Sequence, residues 1–411
     1  MLRSLLLTIF FLPGLAFLSG QTDSLGYGIT CAMRDTAANA YWAAPVAFLN
    51  GSAEVKTQFD LIFSEDVPAV AQAAMRFAAN VWGSYLDSDV NVRVNIDWQD
   101  RDDDRLLASA GPATLFRGFE GAETNTWYPV ALAEAISGVD LNDPQDADIN
   151  VNANSTANWY FGIDGNTPRR QIDLVSVMLH ELGHGLGFLS SVDTINENQL
   201  SIGFGGRFII YDLFLETESG LPLTDPGLFT NPSDELLMAV ANNDLVFNGP
   251  LAVRENNGSV VPLFAPGTFD VGSSVSHLNE ATYRAGDENA LMTPFLSAGE
   301  AVHDPGPVTL GIFADMGWPL EFNLTGTQDA RRVELAVFPN PASDRVTVKI
   351  PISAENKTLL LHAVNGQQLI SQQIPGGQGQ FDVELADVPA GMYHLTVVAD
   401  AVLFGSRIVV R

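Results

Sequence analysis

Between Val175 and Asp193 the chain reads VSVMLHELGHGLGFLSSVD, and His180, Glu181 and His184 within it constrain the fold more than any other residues. Side chains four apart on an α-helix share a face one turn apart, so His180 and His184 can offer their imidazoles to a single ion. Val175, Leu179, Leu182 and Leu186 make the opposite, apolar stripe, which predicts a helix docked on a core with its histidines held in a fixed direction. Gly183 inside such a helix costs up to ~1 kcal/mol relative to alanine and so implies a close approach to the backbone at that turn. Gly187 stands where a left-handed residue would end the helix. Two imidazoles do not complete a catalytic zinc site, which usually has three protein ligands and one open position. The extended helical pattern carries a further histidine three positions beyond the glycine, and this chain has Ser190 there. The third ligand must come from elsewhere.

Four histidines lie outside the motif: His277, His303, His362 and His394. His362 and His394 fall in strand-like runs near the C-terminus, and His303 reads as a surface or helix-cap residue. His277 sits in GSSVSHLNEATYRAGDENALMTPF, fifteen residues ahead of Met292. Asp193, Glu197, Asp212 and Glu216 compete with it, because a downstream carboxylate can also complete a zinc site. Tyr283 reads as a core or surface tyrosine, with stabilisation of a developing oxyanion as the sharper alternative.

The 411 residues suffice for two domains. MLRSLLLTIFFLPGLAFLSG places Arg3 before an apolar run that ends in Ser19 and Gly20, which predicts a signal peptide over 1–20 cleaved near Gln21. No later segment approaches the ~20 continuous apolar residues of a membrane span. The formal charge of −29, from 49 acidic against 20 basic residues, argues against nucleic acid as a partner. Cys31 is the single cysteine, so no intramolecular disulfide can form. Its thiolate could reach an immature zinc and hold the protein latent; an idle thiol is the plainer reading. The acidic runs 97–104 and 140–150 could bind calcium, but neither has EF-hand spacing, and solvated loops are favoured.

VPAVAQAAMRFAANVWGSYLD (67–87) has helical apolar spacing at Ala74, Phe77, Ala78, Val81 and Tyr85. Val90, Val92, Val94, Ile96 and Trp98 alternate as in a strand, as do Ala147, Ile149, Val151 and Ala153 in ADINVNAN. Helix, strand, strand and histidine helix make an α+β order. Gly203 to Ser274 is a mixture of turns and short apolar pieces without an assignable pattern. A polar linker follows over 321–332, and from 333 to 411 short β-like runs separated by turns predict a small antiparallel sandwich.

HELGHGLGF, SHLNE and ALMTP, in that order, resemble the metzincin metalloproteases, above all the leishmanolysin-like branch with its late third histidine and Met-turn. The resemblance covers roughly residues 55 to 318. It implies a metzincin-like α+β zinc protease domain over 21–320, with 190–276 inserted between the helix and the third ligand. It further implies that His180, His184 and His277 hold one zinc, that Glu181 is the general base, and that Met292 and Gly187 support the site. An extended protein or peptide substrate would then lie antiparallel to an edge strand above the helix, and ADINVNAN is the candidate for part of that sheet. The single cysteine departs from the disulfide richness of protozoan leishmanolysins.

FPNPASDRVTV, LLLHAVNGQQL, LADVPAGMYHLTVVAD and SRIVVR resemble the C-terminal sorting domain of the type IX secretion system of Bacteroidetes. That resemblance implies the secretion machinery as a partner and an extracellular or surface-attached product. The expectation is a secreted zinc metalloendopeptidase. A catalytically idle, zinc-stabilised surface adhesin and a zinc hydrolase of a non-peptide bond are the alternatives.

Overall fold

The computed structural model describes residues 19–21, 29–34, 38, 40–51, 53–103, 105–320, 333–334, 336–349, 357–363, 368–386, 388–399 and 402–411. The predicted linker lies outside them, as does the predicted signal peptide except Ser19 and Gly20, which with Gln21 pair antiparallel to Leu115–Arg117. The chain divides into two compact units, the first ending at Glu321 and the second starting at Phe322.

The first unit is built on a six-stranded mixed sheet. Its strands are β1 (Ile29–Arg34), β2 (Phe59–Phe63), β3 (Val92–Gln99), β4 (Leu106–Pro112), β5 (Ile149–Asn154) and β6 (Phe295–Ser297), in the spatial order β6-β1-β4-β5-β3-β2. β2, β3 and β5 are mutually parallel, β4 is antiparallel to both β5 and β1, and β6 runs parallel to β1. In β3 the alternation of the sequence becomes an alternation of faces: Val92, Val94, Ile96 and Trp98 are buried and the residues between them are not. ADINVNAN supplies β5 from Ile149, an interior strand between β3 and β4.

Helix α1 (Ala69–Gly83) falls within the predicted 67–87 segment and buries Ala74, Ala78, Val81 and Trp82, while Phe77 and Tyr85 are only partly covered. Helix α2 (Leu174–Leu186) carries the two motif histidines, and every one of its residues is buried. It packs on β4, β5 and α1, so a chain with polar residues on one face of this helix must satisfy them inside the protein. Helix α3 (Pro307–Met316) closes the unit, with Gly317 in the left-handed region at its end. The 203–274 region, patternless in sequence, holds the three-stranded sheet of Leu215–Thr217, Leu245–Phe247 and Val261–Pro262 with the short helices Asp234–Val240 and Pro250–Glu255. Its strands have two or three residues, too few to display a period. Among the described residues no helix is long and apolar enough to cross a membrane.

The second unit holds a five-stranded and a three-stranded sheet. β7 (Ala336–Phe338), β8 (Arg345–Lys349) and β11 (Gln380–Glu384) form the smaller. β9 (Lys357–Ala363), β10 (Gln368–Ile374), β12 (Gly391–Ala399) and β13 (Val402–Val410), with Val333–Glu334, form the larger. Val346, Val348, Phe381 and Val383 from one sheet and Leu359, Leu361, Leu395, Val397 and Ile408 from the other share a single apolar core. His362 and His394 are register partners on neighbouring strands of the larger sheet.

Candidate metal centre

Asp173 starts α2 as its N-cap, accepting from the Ser176 amide and hydroxyl, both at 2.8 Å. It also accepts from Thr167 Oγ1 and from His303 Nε2, again at 2.8 Å each. His303 is thus completely buried against the helix cap, not at the surface, with Tyr41 and Phe77 edge-on to its ring. The Trp82 indole donates to Leu179 O and the Trp318 indole to Leu186 O, each at 2.9 Å, which pins the middle and the end of the helix. A Cβ on Gly185 would come within 2.3 Å of Ile149, so the helix lies on β5 at a separation that only glycine allows. Gly187 ends the helix at φ 128°, and the Phe188 amide reaches back to Gly183 O at 3.0 Å.

His180, His184 and His277 converge. Their Nε2 atoms are 2.9 Å apart for His180 and His184, 3.2 Å for His184 and His277, and 3.2 Å for His277 and His180. Each Nδ1 is 2.7 Å from a main-chain carbonyl: Leu291 O for His180, Phe188 O for His184 and Ser273 O for His277. A carbonyl can only accept, so each Nδ1 carries the ring hydrogen and each Nε2 is left as a bare lone pair. Three lone pairs then face one another with no donor among them. Burial pushes the imidazole of His180 down to about 4 and those of His184 and His277 well below the ordinary histidine range, the latter two lowered further by their neighbours' charge. Protonation is therefore a poor remedy for the cluster, and a cation is a good one.

Tetrahedral zinc at the usual Zn–N length needs ligand nitrogens about 3.3 Å apart, and the observed triangle fits that demand. The donor set, three neutral imidazoles each oriented by a carbonyl, also suits zinc. Among the described residues this is the one grouping of three or more histidine, cysteine or acidic side chains able to share an ion, and it includes no carboxylate.

Met292 lies directly beneath the helix. A Cβ on Gly183, between the two motif histidines, would meet the Met292 sulfur at 2.7 Å, which accounts for the glycine there. The segment of Met292 also holds two of the three histidines, since Leu291 O accepts from His180 and Met292 O accepts from Leu278 N at 2.8 Å, beside His277. A cavity of about 10 Å3, room for one water, lies beside His180 among Ser176, Val177, Leu291, Thr293 and Phe295. Glu181, next to His180 in the chain, is fully buried.

The carboxylates that competed for the third position stand elsewhere. Asp193 and Glu197 are exposed, and Glu216 accepts from Asn248 at 2.8 Å. Asp212 is completely buried and accepts from Ser190 Oγ at 2.7 Å, Ser191 N at 3.1 Å, Ile209 N at 3.0 Å and the Ser191 hydroxyl. Ser190, the residue in place of a local histidine, also donates its amide to Ser276 Oγ at 3.0 Å and so ties the end of the motif to the neighbour of His277. Tyr283 donates to Asn256 at 3.0 Å as a buried core tyrosine. In the acidic runs Asp97 pairs with Arg101 at 2.6 Å, and Asp148 accepts from Arg93 N and Asn142. The Cys31 side chain lies outside the described residues; its backbone is in β1.

Sequence reasoning missed the cap network of Asp173, Ser176 and His303. The D-x-x-S spacing at Asp173 and Ser176 was the available signal for the first two. For His303 the helix-cap alternative holds and the surface one does not, while its partner, 130 residues away, could not be read from the sequence.

Comparison with known proteins divides the chain in the same way. Residues 84–208, which include His180, Glu181 and His184, match the SPBPB7E8-like family model. An uncharacterized protein of Schizosaccharomyces pombe is 39% identical over 62 residues, 15% of this chain. The matched stretch spans 11% of that protein. Among solved structures, a duf3244 family protein of immunoglobulin-like β-sandwich fold from Bacteroides vulgatus aligns with 19% of this chain and 83% of its own, at 16% identity and a TM-score of 0.17. A thermostable endoglucanase mutant from Alicyclobacillus acidocaldarius aligns with 16% of this chain and 12% of its own, at 20% identity and a TM-score of 0.13. Residues 336–411 match the secretion system C-terminal sorting domain, the type IX tail that their sequence resembles, and this makes the chain a secreted or cell-surface protein.

Proposed function

We propose that this protein is a secreted zinc-dependent endopeptidase whose first unit has a metzincin-like fold. The observation that carries the reading is the convergence of three neutral imidazole nitrogens, each held by a carbonyl, on a helix that places Glu181 beside His180. Zinc bound there would supply a water acidic enough to ionise near pH ~7 and an electrophile for the scissile carbonyl. His180, His184 and His277 hold the ion and take no part in proton transfer, since their Nδ1 hydrogens are committed to the main chain. Glu181 accepts the proton of the attacking water on its carboxylate and returns it to the nitrogen of the leaving amine, a role of general base followed by general acid. Met292 keeps the floor of the site filled and apolar, which holds the histidine helix at a fixed height.

The substrate class in this reading is protein or extended peptide. The test compares casein cleavage by wild type and Glu181→Gln, with zinc measured on both and small esters assayed in parallel. The expected result is equal zinc content with casein cleavage reduced on the order of 10²-fold or more in the variant. Unchanged cleavage by Glu181→Gln, or hydrolysis confined to the esters, contradicts the proposal.

A further inference from the structure

His277 reaches the cluster on the turn 273–278, and that turn contains a backbone conformation its sequence does not favour. Val275, two positions before His277, has φ 71°, in the left-handed region. That region brings Cβ close to the following carbonyl oxygen, and a β-branched side chain is least able to relieve the crowding. Val275 is also fully buried, so its branch is packed on every side. Strain of this kind lasts only where the surroundings hold it in place.

The holding groups can be named. Val275 N donates to Phe264 O and His277 O accepts from Phe264 N, each at 2.8 Å. Ser276 Oγ accepts from Ser190 N at 3.0 Å, and Val275 O accepts from the Tyr211 hydroxyl at 3.1 Å. Tyr211 is fully buried in the short 3-10 helix Ile210–Phe214. Its ring centroid is 5.4 Å from that of Phe188 and 5.2 Å from that of Phe247. Phe188 is the residue whose carbonyl orients His184. One side chain is therefore packed against the support of one histidine and bonded to the turn that carries another. Burial, and after it the charge of Asp212, push the Tyr211 phenol well above the ordinary tyrosine range, so the hydroxyl keeps the hydrogen it donates. A buried tyrosine needs some acceptor for that hydrogen. Here the acceptor is the carbonyl of the one strained residue in the turn of His277.

We infer that Tyr211 is a positioning residue for His277: its bond to Val275 O holds the strained turn, and the turn aims the third imidazole at the other two. The inference rests on the metal reading of the cluster and not on the reaction that the metal serves. Without the bond, Val275 relaxes out of the left-handed region, and a rotation two residues upstream is carried into the direction of the His277 side chain.

The test uses the full-length chain stripped of metal by chelation. Cobalt(II) is titrated in against a competing chelator, and the visible absorption of the bound ion reports its coordination. Tyr211→Phe deletes one oxygen and leaves the ring packing. It is expected to weaken cobalt binding about tenfold or more and to change the absorption, with the circular dichroism of the native chain retained. Val275→Gly allows the left-handed conformation without strain, so in that background Tyr211→Phe is expected to cost less than about threefold. Wild-type affinity and absorption in Tyr211→Phe overturn the inference. An equal loss in both backgrounds overturns it as well, since a hydroxyl that serves only the core has no reason to couple to Val275. Loss of the native circular dichroism in Tyr211→Phe assigns the bond to the core and has the same consequence. A wild type that takes up no cobalt overturns the inference together with the metal reading. The expected cobalt pattern in a chain that cleaves no casein upholds the inference and sinks the protease reading.

Discussion

Each histidine of the cluster spends one ring nitrogen on a main-chain carbonyl, and this leaves the other bare and aimed inward. The pair four residues apart could be read from the sequence because a helix imposes that spacing, whereas nothing local marks the partners Leu291, Phe188 and Ser273 as orienting groups. Asp212 was a rival ligand in sequence and is a buried anchor in structure. Asp212→Ala should keep zinc but lower stability by about 2–4 kcal/mol, because Ser190, Ser191 and Ile209 lose their acceptor. Denaturant unfolding alongside elemental analysis checks both halves. Burial, aided by Asp148, pushes Glu134 up to about 8, and burial pushes Asp148 up to about 6. Both values lie above the ordinary carboxylate range, so the folded chain holds these protons more tightly than the unfolded one. Their stabilising contribution is complete below pH ~4 and lost as the pH rises through those values. The melting temperature should therefore fall between pH 5 and pH 9, and Glu134→Gln should flatten that fall.

At the scale of elements, the long periodic segments were the legible ones. The helix over 69–83, the strands over 92–99 and 149–154 and the histidine helix all carry clear apolar periods. β4 was missed because LLASAGP is small and barely alternates, and β6 because three residues display no period. Both β4 and the ADINVNAN strand β5 pack on the histidine helix, so half of the sheet surface that supports it went unread. Gly185 is the point where helix and sheet come closest. Gly185→Ala should cost about 1–3 kcal/mol by forcing the helix off Ile149, and adding Ile149→Val should recover part of it. Additive losses in the double variant would show that the two residues do not share one contact.

For the whole molecule, the sorting tail and the candidate centre belong to separate compact units with separate jobs. A chain ending at residue 320 should remain inside the cell envelope of its native host while the full chain reaches the medium or surface, as fractionation and immunoblotting would show. His277 was readable as the third member of the cluster only through resemblance, because it stands 93 positions beyond His184, across a region without periodicity. The central claim is that this long-range histidine completes one metal site, and zinc content per chain in wild type and His277→Ala measures it most directly. One zinc per wild-type chain, with most of it lost from a still-folded His277→Ala, is the predicted result. Full retention of zinc by His277→Ala would contradict it.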